Sequence, residues 1–263
     1  MKKNLPKFVY KYRAAKIDKN AEPGTGSLGR LQRMIEHGEI YFGSSFEFND
    51  PFDCRPVVIL DCSDEEFVRS CVESARAKHG ERGAVLMDSH IRSKLGTPED
   101  LRHPSNLIRL EAMMAERIAE DGVFCAAGRP DNILMWSHYA ESFTGVCLEI
   151  DTAEFEYLEE VNYCTERPVI NLLPSGDTVE VQVDKALFSK FIAWDYEEEW
   201  RAMYRKGVSA LSEHGITRLI FGQNCAPAVR EILTTYVKNS GKPIRFAEVR
   251  PDSRSYRLNI VDL

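Results

Sequence analysis

Seven short segments of the chain have the composition of β-strands, and their number constrains the fold more than any other feature. They are FVYKYR at 8–13, EIYFGSS at 39–45, GVFCAA at 122–127, GVCLEI at 145–150, WRAMYR at 200–205, RLIFG at 218–222 and IRFAEV at 244–249. The spacing of apolar residues predicts helices at 28–38, 64–78, 105–120, 132–140, 183–192 and 226–238. Because strands outnumber the helices that regular βαβ alternation requires, a doubly wound parallel sheet is disfavoured. The sequence therefore predicts an α+β fold with mixed, mostly antiparallel sheets and flanking helices.

The segment at about 62–120 differs from the rest of the chain, since it carries many charges and few β-branched residues. We interpret it as a helical insertion. A length of 263 residues suits one large domain or two small ones, and we predict a single domain over 1–263 that contains this insertion. The loop AEPGTGSLG at 21–29 separates two periodic segments and is typical of a mobile flap.

Charge and cysteine content narrow the class of protein. With 34 Lys and Arg residues against 41 Asp and Glu residues, the net charge of -7 disfavours a generally basic nucleic-acid binder. No apolar run approaches the roughly 20 residues that span a bilayer, and the basic amino terminus lacks the apolar stretch of a secretory signal. Seven cysteines form no CxxC pair, which favours reduced thiols. A cytoplasmic protein without a membrane partner is expected.

Several large enzyme classes lack their motifs in this chain. There is no GxGxxG after a strand, no P-loop GxxxxGK and no GxSxG. The sequence GTGSLG at 24–29 has a spacing that fits neither a dinucleotide loop nor a nucleotide loop. No HExxH or paired Cys/His cluster supports a zinc site. The Rossmann, P-loop and zinc-hydrolase classes are therefore disfavoured.

The first candidate site is the strand at 8–13, where Tyr12 is followed by the guanidinium of Arg13. Arginine offers a planar fork of donors that suits a phosphate or a carboxylate. The alternative is a strand-end arginine that pairs with a nearby acid.

The second candidate lies in the predicted helix at 132–140. Trp136 and Tyr139 are three residues apart and share a helix face, while His138 points elsewhere and could donate to a ligand. The alternative is that both aromatic side chains belong to the core.

The third candidate is rich in carboxylates. If residues 196–201 are extended, Glu197, Glu199 and Arg201 lie on one face of the strand. Two carboxylates beside an arginine are typical of an acid–base or cation-stabilising site, because their repulsion raises one pKa unless a cation offsets it. The alternative is a structural Glu–Arg ladder at a sheet edge.

The fourth candidate is the turn at 49–53. Its functional interpretation is a loop that presents Asp50 or Asp53 to a ligand. Its structural interpretation is an Asx turn that packs two phenylalanines.

Taken in order, these segments resemble a bacterial family, the domain-of-unknown-function family 2971. Its pattern runs KYR near the start, then FNDPFD, HYA with GVCLEI, YEEEWR and a late IFG. The resemblance covers most of the chain apart from 62–120, and the motifs are specific in combination. The family name implies no function.

The chain is more distantly similar to the ADP-ribosyltransferase fold, which includes toxin and phage-defence proteins. This similarity implies that NAD is bound as a substrate and that Arg13 contacts its pyrophosphate or ribose. Tyr139 or Trp136 would stack on the nicotinamide, and Tyr12 and His138 would lie beside the ligand.

The same similarity implies that Glu199 is the catalytic glutamate, with Glu197 completing an ExE-like pair. Breaking the nicotinamide–ribose bond passes through an oxocarbenium-like state, which a carboxylate near the ribose stabilises. The first functional hypothesis is therefore an enzyme that cleaves NAD and transfers ADP-ribose to a macromolecular acceptor or to water.

Two other classes of function stay open. One is a metal-dependent hydrolase of nucleotides or nucleic acid, because carboxylate clusters suit Mg²⁺ or Mn²⁺. Its ligands would come from Asp50, Asp53, Glu149, Glu197 and Glu199. The other is a non-catalytic binding module, in which the three tryptophans would be core residues.

Overall fold

The computed structural model describes residues 5–17, 25–173 and 177–263. The strands in these ranges are β1 (Phe8–Arg13), β2 (Glu39–Phe42), β3 (Val57–Ile59), β4 (Asp121–Ala127), β5 (Val146–Asp151), β6 (Leu158–Glu160), β7 (Asn162–Cys164), β8 (Val169–Asn171), β9 (Ser189–Phe191), β10 (Glu199–Arg205), β11 (Gly207–Ala210), β12 (Ile216–Phe221), β13 (Arg245–Pro251) and β14 (Leu258–Asp262). The α-helices are α1 (Gly26–His37), α2 (Asp64–Lys94), α3 (Pro104–Ile118), α4 (Ile133–His138), α5 (Val179–Leu187) and α6 (Pro227–Ser240). None of these helices combines the length and the apolar character that a membrane-spanning segment requires. The predicted α+β class is confirmed.

The chain forms two compact units. The sheet unit takes its residues from 1–47, 121–163 and 192–263, and the helical unit takes its residues from 48–120 and 164–191. The segment at 62–120, which the sequence suggests is an insertion, lies within the helical unit. That unit also holds a short parallel pair of strands, β3 and β8. The single domain that the sequence suggests stays a prediction.

The sheet unit is built on eight strands in the order β14-β13-β12-β5-β1-β4-β10-β6. Neighbouring strands are antiparallel except β12 and β13, which α6 connects as a parallel pair. A separate antiparallel pair, β2 and β11, belongs to the same unit. The mostly antiparallel topology is therefore confirmed.

Alternating residues of the central strands fill two cores. Val9 of β1 and Leu148 of β5 point to one face, where they pack with apolar residues of α1 and α6. Tyr12 and Cys147 point to the other face, where they pack with residues of α4. The helices α1, α4 and α6 therefore pack against the sheet. The amino-terminal half of α1 and the carboxyl-terminal end of α4 lie near the last residue of β1.

The sheet splits between β1 and β4. These two strands share only the register pair Tyr10–Ala127, whereas β1 pairs with β5 along its whole length. Towards its amino-terminal end, β4 instead bridges through Val123 to Gly43, just after β2. The last residues of β1, 11–13, therefore border a gap in the sheet.

The helix predicted at 64–78 is longer in the structure and reverses direction. α2 extends to Lys94, and at Gly80 the backbone leaves the helical conformation (φ 69°, ψ -167°). Arg92 donates two hydrogen bonds of 2.9 and 3.1 Å to the carboxylate of Glu65. In a straight helix these residues would be roughly 40 Å apart. α2 is therefore a helical hairpin with one arm on each side of Gly80.

Two other predicted boundaries differ from the structure. The predicted flap at 21–29 overlaps α1, which begins at Gly26, and residues 21–24 lie outside the described residues. The helix predicted at 183–192 begins earlier, at Val179, and ends at Leu187. By contrast, α1 stops at the predicted residue, since it ends at His37 and Gly38 is its C-cap. There φ is 72°, a conformation that glycine adopts without strain.

Candidate functional site

A cavity of about 230 Å³ lies in the sheet unit where β1 ends beside α1. Its lining includes two arginines, Arg13 and Arg30, two apolar side chains, Leu31 and Met34, and the ring of Tyr139. Two guanidinium groups on one small cavity favour an anionic ligand, because planar donors pair with phosphate or carboxylate oxygens.

Arg13 is held at this cavity without a full set of partners. Its Nε is buried and has no hydrogen-bond partner among the described residues. Burial, followed by the neighbouring charge of Arg30, lowers the pKa of the Arg13 guanidinium from its ordinary value. The alternative in which Arg13 merely pairs with a nearby acid finds no support in the described chain, so the site lacks an anion that a ligand could supply.

Lys11 lies at the split between β1 and β4. Its ammonium group donates to the carbonyl oxygen of Cys125 on β4. Burial, followed by the charge of Arg13, lowers the pKa of Lys11 to about 8, while the carboxylates of Glu199 and Glu197 oppose this shift. The Lys11 ammonium group is therefore repelled by the charge of Arg13 and attracted by the carboxylates of Glu199 and Glu197.

We expect Lys11 to make the free energy of unfolding depend on pH. Its folded pKa of about 8 lies below the ordinary value of 10.5, so between these values the unfolded chain binds more protons than the folded protein. Stability from this group therefore rises as the pH increases through this window and is lost as the pH falls through 8. Urea unfolding across the window should therefore give a more positive pH slope of stability for the native chain than for Lys11→Met. Equal pH slopes in the two proteins would contradict the prediction.

Glu199 and Arg201 form a buried ion pair on β10. The two residues are 3% and 0% exposed, respectively. Arg201 donates from Nε and Nη2 to the two carboxylate oxygens of Glu199, at 2.7 and 3.2 Å. Both oxygens are thus engaged by one guanidinium, which neutralises the carboxylate. The Glu199 carboxylate is therefore already paired with a buried cation.

Glu197 is hydrogen-bonded to the cavity lining. Its Oε1 accepts a hydrogen bond of 2.5 Å from the hydroxyl of Tyr139, which lines the cavity. Glu197 is itself buried. A buried carboxylate acts through a low effective dielectric, so it attracts a nearby cation more strongly than it would in water. The arrangement can stabilise positive charge that develops on a ligand.

The extended conformation predicted for 196–201 is wrong for its first three residues. Ile192–Glu197 is a 3-10 helix, Glu198 has a left-handed φ of 45°, and β10 begins at Glu199. The Asn132 side chain holds this backbone, since its amide donates to the carbonyl oxygen of Tyr196. Glu197 therefore reaches its buried position through a helical turn and not through strand alternation.

Three consecutive residues after α4 have left-handed backbone conformations. Glu141, Ser142 and Phe143 have φ values of 50°, 53° and 66°, and for residues other than glycine each such conformation costs roughly 1–2 kcal/mol. The amides of Ser142 and Phe143 donate to carbonyl oxygens of α4, at 3.0 and 3.2 Å. Strained conformations cluster at functional sites. This left-handed turn fixes the end of the helix that precedes Tyr139.

Gly222 allows the left-handed turn to approach the end of β12. A methyl group at Gly222 would lie 2.0 Å from the carbonyl oxygen of Phe143, so Gly222→Ala must displace the turn. We expect the free energy of unfolding to fall by about 3 kcal/mol. Gly43→Ala is the control, because the nearest atom there is a flexible Glu47 side-chain oxygen at 3.3 Å. Its effect should stay within about 1 kcal/mol. Urea denaturation that shows equal losses would contradict this account.

Two of the predicted ligand contacts, Trp136 and Tyr12, pack in the core of the sheet unit, and Tyr12 also lines the cavity beside β1. Trp136 is 0% exposed, and its indole N–H donates to the carbonyl oxygen of Pro130 at 2.7 Å. Tyr12 packs edge-on against Trp136, with ring centres 5.2 Å apart, and its hydroxyl donates to the carbonyl oxygen of Arg129 at 2.9 Å. A fully buried ring cannot stack on a ligand, so Trp136 acts as a core residue.

His138 and Tyr139 follow each other in the chain but differ in placement. His138 is exposed, and its Nδ1 lies 3.2 Å from the hydroxyl oxygen of Tyr196. Tyr139 is half-buried and lines the cavity. Of the two residues proposed to stack on the nicotinamide, Tyr139 lines the cavity and Trp136 does not.

The turn at 49–53 belongs to the helical unit. Asp50 accepts a hydrogen bond of 2.8 Å from the amide of Phe52, which confirms the Asx turn. The ring of Phe52 is exposed, however, so the turn does not pack both phenylalanines. The Asp53 carboxylate lies 3.7 Å from the ammonium group of Lys190, and both side chains are buried.

Glu149 is buried in a hydrogen-bond network of the sheet unit. It accepts hydrogen bonds from the hydroxyl of Thr217 at 2.8 Å and from Arg218 at 2.5 Å. Among the described residues, no three His, Cys, Asp or Glu side chains come close enough to hold a metal ion. The carboxylate set of the metal-dependent alternative is not assembled there.

Sequence reasoning missed two residues of the site, Lys11 and Arg30. Lys11 lies on the same strand face as the buried Val9. A lysine on a buried strand face is uncommon, and this signal could have marked Lys11 as a candidate site residue. Arg30 and Arg33 lie in one amphipathic helix, and nothing in the local sequence distinguishes them. Only the position of α1 against β1 brings Arg30 to the cavity.

Comparison with known proteins finds a similarity over part of the chain. A family model described as "Protein of unknown function (DUF2971)" matches residues 135–202. This match confirms the predicted resemblance over the segment with the HYA, GVCLEI and YEEEWR motifs. No curated protein and no solved structure matches the chain. The segment that the family model covers contains Tyr139, Glu197, Glu199 and Arg201, whereas Arg13 lies outside it.

Proposed function

We propose that this protein is an NAD-cleaving enzyme of the ADP-ribosyltransferase type, and that the cavity beside β1 binds phosphates of the dinucleotide. The observation that carries the proposal is the buried Nε of Arg13, which has no hydrogen-bond partner in the described chain. A buried donor without a partner costs about 1–3 kcal/mol, and a phosphate in the cavity that Arg13 lines would compensate the charge of its guanidinium. Arg30 adds a second positive charge on the same cavity.

The size of the cavity agrees with binding of part of a dinucleotide. Its volume of about 230 Å³ equals that of about eight water molecules in the liquid. This space suits the phosphates and an adjoining ribose, with the rest of the ligand lying outside. Because NAD is a cytoplasmic metabolite, the proposal places the protein in the cytoplasm.

The carboxylate that stabilises the reacting ribose is Glu197 in this proposal. Tyr139 connects Glu197 to the cavity through its hydroxyl, while Glu199 is engaged by Arg201 on both oxygens. A carboxylate beside the ribose favours positive charge at C1′ and is oriented before the reaction begins, so little reorganisation is needed. The glutamate motif thus divides into one cation-stabilising residue and one positioning residue.

The proposed reaction is a substitution at C1′ that changes no oxidation state, so its atoms and electrons balance without a metal or a redox partner. The bond between C1′ and the nicotinamide nitrogen breaks, and its electron pair goes to the ring nitrogen, which becomes neutral. The oxocarbenium ion at C1′ is then attacked by water or by a nucleophile of an acceptor, which loses its proton. The arginines hold the phosphates during this step, so orientation lowers the entropic part of the barrier.

Nicotinamide release from NAD by the purified chain tests the proposal, with Arg13→Gln, Arg30→Gln and Arg33→Gln compared. We expect release that survives EDTA, a loss of about 100-fold in kcat/KM for Arg13→Gln and about 10-fold for Arg30→Gln. Arg33 is the matched control, since it lies on the same helix and pairs with Glu39 at 3.2 Å. Arg33→Gln should stay within about twofold of the native chain.

Stability measurements separate a ligand-binding arginine from a structural one. Arg13→Gln removes a buried charge that lacks a full set of partners, so we expect the free energy of unfolding to be unchanged or higher.

Release that stops with EDTA would favour the metal-dependent alternative. A heat shift with NAD that vanishes in Arg13→Gln, without any nicotinamide release, would favour the non-catalytic binding module. Absence of both would overturn the proposal.

A further inference from the structure

The helical unit contains another cavity, which the proposed function does not use. It lies in the α2 hairpin, lined by both arms and by the turn that follows the second arm. Its volume is about 600 Å³, which lies within the range of roughly 300–1,000 Å³ of small-molecule sites.

One part of this cavity is apolar. Phe67 and Ala75 contribute from the first arm, Met87 and Ile91 from the second arm, and Leu101 from the turn. Phe67 and Ala75 are buried, and Leu101 is 44% exposed. An apolar ligand would therefore remove exposed hydrocarbon surface from water, which favours binding.

A lysine lies in the other part of the cavity. Lys78 and His79 line this part near the reversal at Gly80, whereas His90 lies on the second arm towards Phe67. Arg82 lines an adjoining groove that shares both histidines. Neither Lys78 nor Arg82 forms an ion pair with a carboxylate of the described chain.

The acidic residues of the same cavity are already neutralised. Glu99 pairs with Lys94, and Asp100 accepts from Arg102 at 2.8 Å. Among the described residues of this cavity, Lys78 is therefore a positive charge without a carboxylate partner. An anionic group on the ligand would complement it.

The two parts are separated along the length of the hairpin. Phe67 and Lys78 lie on one arm, and a helix rises 1.5 Å per residue, so roughly 16 Å separate them. This geometry matches a linear molecule with an anionic head and an apolar chain.

We propose that the α2 hairpin binds a fatty-acid-like carboxylate of about twelve carbons. The carboxylate lies beside Lys78 and His79, and the chain follows the apolar residues towards Phe67, Ile91 and Leu101. The site is separate from the cavity beside β1 and does not depend on the function proposed for it.

Calorimetric titration of the full chain with dodecanoate, below its micelle concentration, tests this site. We expect a Kd on the order of 10 μM, and at least about 10-fold weaker binding of dodecan-1-ol, which lacks the charge. Lys78→Glu should weaken dodecanoate binding by about 10-fold or more. Arg69→Glu is the matched control, because Arg69 is an exposed residue of the same arm and does not line the cavity. Its effect should stay below about twofold.

Ile91→Asp tests the apolar part and should abolish binding while the far-UV circular dichroism stays unchanged. Equal binding of dodecanoate and dodecan-1-ol would overturn the assignment of the head group, and so would equal losses in Lys78→Glu and Arg69→Glu. Absence of dodecanoate binding overturns the proposal. If light scattering then shows a dimer, and Leu86→Asp at an exposed residue of the adjoining groove converts it to a monomer, a second copy covers this face.

Discussion

Replacing Glu197 by glutamine is expected to lower the rate of nicotinamide release by at least about 100-fold while the protein stays folded. Glutamine keeps the shape of the side chain and can still accept the hydrogen bond from Tyr139. It lacks the negative charge that would stabilise the oxocarbenium ion. The loss should therefore appear in kcat, with KM for NAD nearly unchanged, because the phosphates bind elsewhere in the site.

The neighbouring residue provides a close control for this experiment. Glu198→Gln makes the same change of charge one residue away. Glu198 is exposed, however, and its Oε1 lies 3.4 Å from Nη1 of the exposed Arg129. We expect its rate to stay within about twofold of the native rate. If Glu197→Gln and Glu198→Gln both remain active, Glu197 does not stabilise the reacting ribose, and the proposed mechanism is wrong.

Replacing Arg201 by methionine is expected to destabilise the protein by about 3–5 kcal/mol. Arg201 is fully buried, and it is the guanidinium that binds both oxygens of Glu199. Without it, the Glu199 carboxylate stays buried without this cation, or it must take up a proton. Urea denaturation of Arg201→Met and of the native chain measures the difference.

A double variant shows whether this loss belongs to the ion pair. Arg201→Met combined with Glu199→Met removes both charges, so we expect it to recover a substantial part of the lost stability. Arg129→Met is the control, since Arg129 forms exposed ion pairs with Asp131 and Glu198, and its effect should stay within about 1 kcal/mol. Additive losses at Arg201 and Glu199 would contradict the assignment of this pair as a coupled unit.

Local patterns in the sequence predict much of the sheet unit correctly. The bounds of β1 and the end of α1 at Gly38 agree with the structure, because strand alternation and a left-handed glycine depend on a few adjacent residues. The same reasoning fails at Glu197. Its 3-10 turn is held by Asn132, whose amide bonds Tyr196, 64 residues away along the chain.

The residues of the candidate site were likewise predicted from the sequence only in part. The sequence singles out Arg13, Tyr139 and the glutamates through their residue types, because arginine suits oxyanions and paired carboxylates suit cations. It does not distinguish the roles of Glu197 and Glu199. That distinction depends on which carboxylate Arg201 engages and which one Tyr139 reaches.

The sequence by itself determined the α+β class, the main strands and the residue types of the site, because these depend on composition and on short periodicities. Only the tertiary structure decided where the sheet splits, which arginine of α1 meets the cavity, and that Trp136 is a core residue. Each of these features arises where elements distant in the chain pack together. Burial is a property of that packing, and so is the lack of a hydrogen-bond partner for Arg13 Nε among the described residues.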